Sequence, residues 1–516
     1  MKKMKLKDLP LYLIGTLVSI ATFTSCGDEI TEVTEVIYRD TTITVTNTFD
    51  TTIIINNVGD SVFFTNRSNL EPLVAVSPQF NFVKAYSLLS SSDTLENRNG
   101  DLFRLGGSAD GAGLLKNGDE YVFMVNCEDH YSVARVFLDK NFKPIQGDYM
   151  LNSGVADLAR QCSGTMWESE IHGGSQDLFL SASESFNYDV KGIDPYMTPN
   201  PTADFGLDAL GEFSWENAVP LPKNTYAGKT VIIGGDDDSS DSEGQVSLYF
   251  SENGDADLEN GDIYVLKMKD SSRMVNEGEI AFGETYDVEF VKIEGGKEMT
   301  KNEMEDASIA ANAFQFMRVE DVDYGKGSDA AGRNVYFAVT GRGPGRGTYN
   351  DWGTVYKLEL DEASPLNGKL TQIISGNTDT NNMDGNLSLL QSPDNICVTE
   401  NFIYTQEDPN SFSRNHSAYI YQSDLNGNNP RVVLELVERA DLSRDKNISN
   451  SGEFGALIDI SDKIGVPNTF MLAVQPHYWE DDAFKGVDGH NNEGNSNGSR
   501  EDDQGSQIVI LYGLPR

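Results

Sequence analysis

Residues 229–268 read KTVIIGGDDDSSDSEGQVSLYFSENGDADLENGDIYVLKM, and this stretch decides the fold. It holds three short runs rich in Val, Ile, Tyr and Phe, each followed by a cluster of Gly, Asn, Ser and Asp. Runs this short cannot build a helix of ordinary length. Their β-branched and aromatic content suits strands, and the clusters between them suit turns. The same form recurs on both sides, in EYVFMVNCE (120–128), ARVFLDKNFKP (134–144), DLFLSAS (177–183), RNVYFAVTG (333–341), GTVYKLELD (353–361), NICVTENFIYTQED (395–408) and SQIVILYG (506–513). One helix is predicted, within Lys301 to Phe316. So many short strands outgrow a single sandwich. The pattern predicts an all-β fold, a β-propeller of about six blades with irregular insertions. The acidic segment 488–505 is expected as a surface loop before a last strand that closes the ring.

Outward from this body, the chain divides into three parts. Lys2, Lys3, Lys5 and Lys7 precede an apolar run, Leu9 to Phe23, that ends in small residues and Cys26. This is the pattern of a lipoprotein signal over residues 1–25, with Cys26 the lipidated residue. Residues 26–60 are Thr-rich and alternate like extended chain, as a stalk would. Residues 61–516 form the propeller domain. The protein is expected at the cell envelope, lipid-anchored to the outer membrane, as a monomer that meets the membrane only through its lipid.

The formal charge is −42, and −45 without residues 1–25, which carry four Lys and one Asp. Such acidity repels nucleic acid and anionic membrane surfaces, so neither is expected as a partner. It is compatible with carboxylate sites for hard cations. Beyond Cys26 three cysteines remain, Cys127, Cys162 and Cys397, an odd number that leaves at least one thiol unpaired. Five histidines without an HExxH pattern argue against histidine-rich zinc chemistry.

Apolar strands repeatedly deliver a carboxylate at their ends. Glu128 ends YVFMVNCE, Glu168 and Glu170 close QCSGTMWESE, and Glu216 lies in ALGEFSWENA. Asp236 follows TVIIGG, Glu320 lies in FMRVED, and Asp394 in SPDNI. In a propeller, strand ends on one face converge on the central channel. Converging carboxylates must be neutralised, and divalent cations with oxygen ligands do so.

The segments YVFMVNCE, QCSGTMWESE, ALGEFSWENA, VIIGGDDD, GDIYVLKM, FMRVED and SPDNI, in this order between about residues 105 and 410, resemble the motifs of the PhoX-type alkaline phosphatases. The resemblance implies an exported propeller enzyme that holds a calcium and iron cluster and hydrolyses small phosphomonoesters. It implies Cys162 and Glu216 as iron ligands, Glu168 or Glu170 and Glu320 as cation ligands, and Arg318 with Lys267 as the phosphate-holding, catalytic residues. Asn126-Cys127-Glu128 stands where the family has Asn-His-Glu, and the loop around Trp167 is shorter. A second reading is a non-catalytic, calcium-stabilised propeller lipoprotein with a binding role; action on a phosphodiester or phytate is a third.

Overall fold

The computed structural model describes residues 62–516 with their side chains, apart from 155–159, 186, 239–243, 347–348, 379–384, 445, 447, 449 and 491–501. Before residue 62 it describes only backbone strand segments, of which Glu35–Arg39, Thr42–Thr46, Thr52–Ile55 and Ser61–Phe64 pair as an antiparallel meander. Cys26 lies outside the described residues, and its lipidation with it.

From Ala109 onward the strands group into six antiparallel blades. The first comprises Ala109–Asn117, Glu120–Cys127, Ser132–Leu138 and Pro144–Leu151. The second comprises Gln161–Trp167, Leu178–Ser183 and Val190–Ile193. The third begins at Trp215–Pro220 and the fourth at Val319–Tyr324; Thr285–Lys292 pairs with the outer strand of each and joins them into one nine-stranded sheet. The fifth begins at Pro393–Val398 and the sixth at Gly452–Asp459. The innermost strand of each blade packs against that of the next, and the sixth packs against the first. This closed order is a propeller ring, as the strand pattern predicts.

The ring closes with chain from its own N-terminal side. Lys84–Ser90 pairs with Gln507–Tyr512 as the outer strand of the sixth blade, and Val74–Val76 adds to the fifth. The last strand therefore shares the closure rather than making it alone. The helix runs only over Lys301–Ala310, started by a Thr300/Glu303 capping box. It stops because Asn312 takes a left-handed conformation at φ 59°.

Six apolar clusters among the described residues hold the ring together, one between each pair of neighbouring blades. Between the third and fourth blades, Phe337 stacks on Tyr356 at 5.0 Å and Phe316 meets both edge-on at 5.3 Å. Each such ring contributes roughly 1.5–3 kcal/mol by burial. Around the axis the inner strands come closer than side chains allow. A Cβ on Gly111 would lie 2.0 Å from the Gly164 nitrogen, and one on Gly455 2.6 Å from the Ala109 carbonyl oxygen. Small residues at these points let six strands converge on one axis.

Candidate metal centre

All six innermost strands begin on the same face of the ring, and in each the second residue points at the axis. Those residues are Asp110, Cys162, Glu216, Glu320, Asp394 and Glu453. Each of these strands shows a register shift in its pairing within its first few residues. A bulge bends the strand and re-aims a side chain, which is how a period-two element turns one residue into the channel mouth. The antiparallel second strands end on the same face. The residue after each is Glu128, Glu184, Asp237, Thr340, Asp408 or His477. Arg160 and Arg318 stand just before two of the innermost strands.

Together these side chains enclose a cavity of about 250 Å³ lined by ten carboxylates, two arginines, one histidine and the Cys162 thiol. Four triads within it bring their ligand atoms within 4.8 Å of one another: Asp110–Cys162–Glu216, Glu128–Cys162–Glu184, Glu184–Glu216–Asp237 and Glu216–Glu320–Asp394. Ligand atoms of one cation, each at about 2.0–2.6 Å from it, lie within about 5 Å of each other. Each triad therefore has the spacing to hold one cation. Their shared members, Cys162, Glu184 and Glu216, make the group a candidate for several adjacent cations. The thiol suits a transition metal, and the carboxylates suit calcium. Asp110 Oδ1 is buried without a hydrogen-bond partner, an acceptor that a cation would satisfy.

Arg318 is held in place from three sides. Its Nε and Nη2 grip Asp237 at 2.7 and 2.9 Å, Nη2 lies 3.1 Å from Glu320, and Nη1 donates to Ser411 at 2.8 Å. Arg318 adopts φ 71°, and Ser108 and Ser392, which precede two other innermost strands, are also left-handed at 54° and 33°. Such conformations cost about 1–3 kcal/mol each and gather at functional sites. Arg160, half exposed at the mouth, lies 3.5 Å from Glu128 and 3.3 Å from Glu184. On the sixth blade, His477 Nε2 lies 3.1 Å from Glu453 and Nδ1 2.7 Å from Gln504 Oε1 and 3.5 Å from Asp129. Burial alone would discharge this imidazole, but Asp129 and Glu453 outweigh it and raise its pKa.

Without cations several of these carboxyls are pushed toward their protonated forms. Burial, then the neighbouring charge of Glu320, lifts Glu216 well above the usual range; burial and Glu453 do so for Asp110, and burial and Glu320 for Asp394. Burial raises Cys162, reinforced by Glu184 and Glu216. Burial pushes Glu184 up to about 7 against the opposing charge of Arg160. Glu453 rises to about 8 through burial and Asp408. A carboxyl whose pKa is higher folded than unfolded binds extra protons in the folded state between the two values. For Glu184 and Glu453 that window runs from the ordinary 4.5 to about 7 and about 8. Chelated protein is therefore expected to lose stability as pH rises through this window, and calcium is expected to abolish the slope. Melting temperature at pH 5.5 and 8.5, with chelator and with calcium, checks both; a flat chelated profile would count against a cation cluster.

Six of the sequence-derived site residues meet here: Cys162, Glu216, Glu320, Glu128, Asp394 and Arg318. Four others do not. Glu168 and Glu170 follow the far end of Gln161–Trp167, about 20 Å from Cys162 at the usual rise per residue. There Glu168 pairs with Lys463, and Glu170 lies in the short helix Ser169–His172. Lys267 lies on Asp262–Met268, the fourth strand of its blade, opposite Glu289. Asp236 is buried but turned from the cavity, accepting from the Ser214 N–H at 2.9 Å; strand alternation brings Asp237 in instead. Asp110, Arg160, Glu184, Glu453 and His477 also line the cavity, though no motif in the sequence marks them. Their common signal is position at the cavity-face end of a strand: just before or second in an innermost strand, or just after a second strand.

No protein-family model matches this chain, and no curated protein matches it in sequence. Among solved structures it is similar to Pseudomonas fluorescens PhoX, in a complex with vanadate described as a transition-state analogue. The TM-score is 0.59 at 12% identity, over 87% of this chain and 98% of that one. At this identity the likeness establishes the propeller fold. Saccharomyces cerevisiae Sqt1 aligns over 92% of this chain and 93% of its own, at 8% identity and a TM-score of 0.34. All three cysteines of the described residues are free and buried, so the Cys162 thiol is uncommitted.

Proposed function

We propose that this protein is a metal-dependent phosphatase of the cell envelope, which hydrolyses phosphomonoesters at the mouth of its propeller channel. The observation that carries the reading is the ring of Asp110, Cys162, Glu216, Glu320 and Asp394, with Glu128, Glu184 and Asp237 behind it, in four overlapping ligand triads. Two arginines stand at its rim. The shared fold with a PhoX that binds vanadate is consistent with it.

Calcium is the proposed occupant of the all-carboxylate triads, and iron of those that include Cys162. When bound, such ions neutralise phosphoryl oxygens and favour in-line attack by water. The chain's own residues supply the rest. Arg318, pre-set by Asp237, Glu320 and Ser411, keeps one Nη1 N–H to donate to a phosphoryl oxygen, and Arg160 brings a second positive charge to the mouth. Lys267 has no part in this, and Arg160 takes the place proposed for it. His477, held between Glu453, Gln504 and Asp129, keeps a positive charge against the carboxylates of that wall. The lipid anchor at Cys26 places this activity at the outer membrane in the same proposal.

A non-catalytic, calcium-stabilised binding propeller is the second reading. The observation favouring it is that Arg318 is already gripped by Asp237 and Glu320, with Lys267 outside the cavity. Turnover of p-nitrophenyl phosphate by the purified protein decides. The enzyme is expected to lose activity with chelator, to regain it with calcium and iron, and to be inhibited by vanadate. Stabilisation by calcium without turnover would leave the binding protein.

A further inference from the structure

The cavity wall offers nothing to the organic half of an ester, since every lining side chain except Cys162 is charged or polar. Apolar contact begins one residue beyond it. Asn410 and Ser411 line the cavity, and Ser411 accepts from Arg318 at 2.8 Å. The next residue, Phe412, is a half-buried aromatic in the same cavity-face loop, which follows Phe402–Glu407. Half-buried Trp352 stands beside it with ring centroids 6.0 Å apart, and the planes tilt by 59°.

This pair is braced from behind. The Arg414 guanidinium lies 3.7 Å over the Trp352 ring, and donates to the Leu390 and Gly376 carbonyls at 2.8 Å each. Ser392 Oγ donates to the Phe412 carbonyl at 2.8 Å. Gly343, left-handed at φ 75°, lets its backbone pack against the Phe412 ring; a Cβ there would sit 3.1 Å from Phe412 Cγ. Fixed aromatic surface, one residue from the contact that orients Arg318, is where a leaving group would extend from a phosphoryl group held by that arginine.

We propose that Phe412, supported by Trp352, stacks against a flat ring in the leaving group, so that phosphomonoesters of aryl or heteroaryl-bearing alcohols are preferred over those of small alkyl alcohols. This deepens the phosphatase reading and rests on it for turnover, though not for binding. Ring stacking on one aromatic side chain changes discrimination by about five- to tenfold.

The test compares kcat/KM for phenyl phosphate and glycerol 1-phosphate in the full-chain, cation-loaded protein and in its Phe412→Ala and Phe412→Tyr variants. The phenyl-to-glycerol ratio is expected to fall about fivefold in Phe412→Ala and to recover in Phe412→Tyr. An unchanged ratio, or no preference in the parent protein, would overturn the inference. Calorimetric binding of phenylphosphonate against methylphosphonate asks the same question without catalysis. If no ester is turned over, the phosphatase reading falls, but tighter phenylphosphonate binding lost in Phe412→Ala would still support the ring platform, and equal binding would reject it.

Discussion

Glu216→Gln is expected to reduce cation-dependent turnover of p-nitrophenyl phosphate by at least about a hundredfold, because Glu216 belongs to three of the four ligand triads. The substitution keeps shape and removes charge. Its effect on stability should therefore change sign with cation occupancy. In chelated protein burial, and then the neighbouring Glu320, Asp110 and Glu184, raise the Glu216 pKa. Glutamine is neutral without binding a proton, so it removes the cost of protonating this carboxyl on folding, and the chelated variant should melt at or above the parent at pH 8.5. With calcium present the variant should melt below the parent, since its cations have lost a ligand. Two melting curves for each protein check this crossover. A loss of stability in both states would mean that Glu216 is a structural carboxylate that happens to face the channel.

Arg318→Ala is the second large effect. The guanidinium is bidentate to Asp237 and also reaches Glu320, and its side chain is 18% exposed. Removing one partner of such a buried group leaves the others unpaired, at about 3 kcal/mol. If Arg318 also holds the transferred phosphoryl group, turnover should fall by about a hundred- to a thousandfold. Arg318→Lys separates the two roles. It keeps a charge near Asp237 but cannot hold Asp237 and reach a phosphoryl oxygen at once, so stability should largely return while turnover stays low. Full activity in Arg318→Lys would assign Arg318 to structure alone.

The fold was legible because the strands are. Runs such as TVII (230–233) and VILY (509–512) carry enough β-branched and aromatic residues to declare themselves, and the Gly, Asn and Asp clusters mark their ends. What the pattern hid is which strand of each blade is innermost and which of its ends faces the cavity. That choice decides which carboxylates meet. Glu128, Glu216, Glu320 and Asp394 were found because they adjoin strongly apolar or recognisable segments. Asp110 and Glu453 were missed because their strands begin ADGAG and GEFGA, small residues that read as turns. They are small because six inner strands crowd one axis, as the close approaches of Gly111 and Gly455 record. Glu168 and Glu170 were misplaced for a simpler reason. They share a ten-residue segment with Cys162, but an extended strand carries them to the other end of the channel. The choice between Asp236 and Asp237 turned on a single residue of register, which sequence alone does not supply. Lys267 matched a motif by its neighbours, yet motif order says nothing of distance from the axis.

The proposed chemistry needs this ring of inner-strand side chains to hold several cations at once. Elemental analysis of the purified full-chain protein, before and after exhaustive chelation and beside Glu216→Gln, measures that directly. At least two tightly bound cations per chain are expected, calcium with iron, and fewer in the variant. Protein that carries none, and takes up none when calcium and iron are supplied, would contradict it.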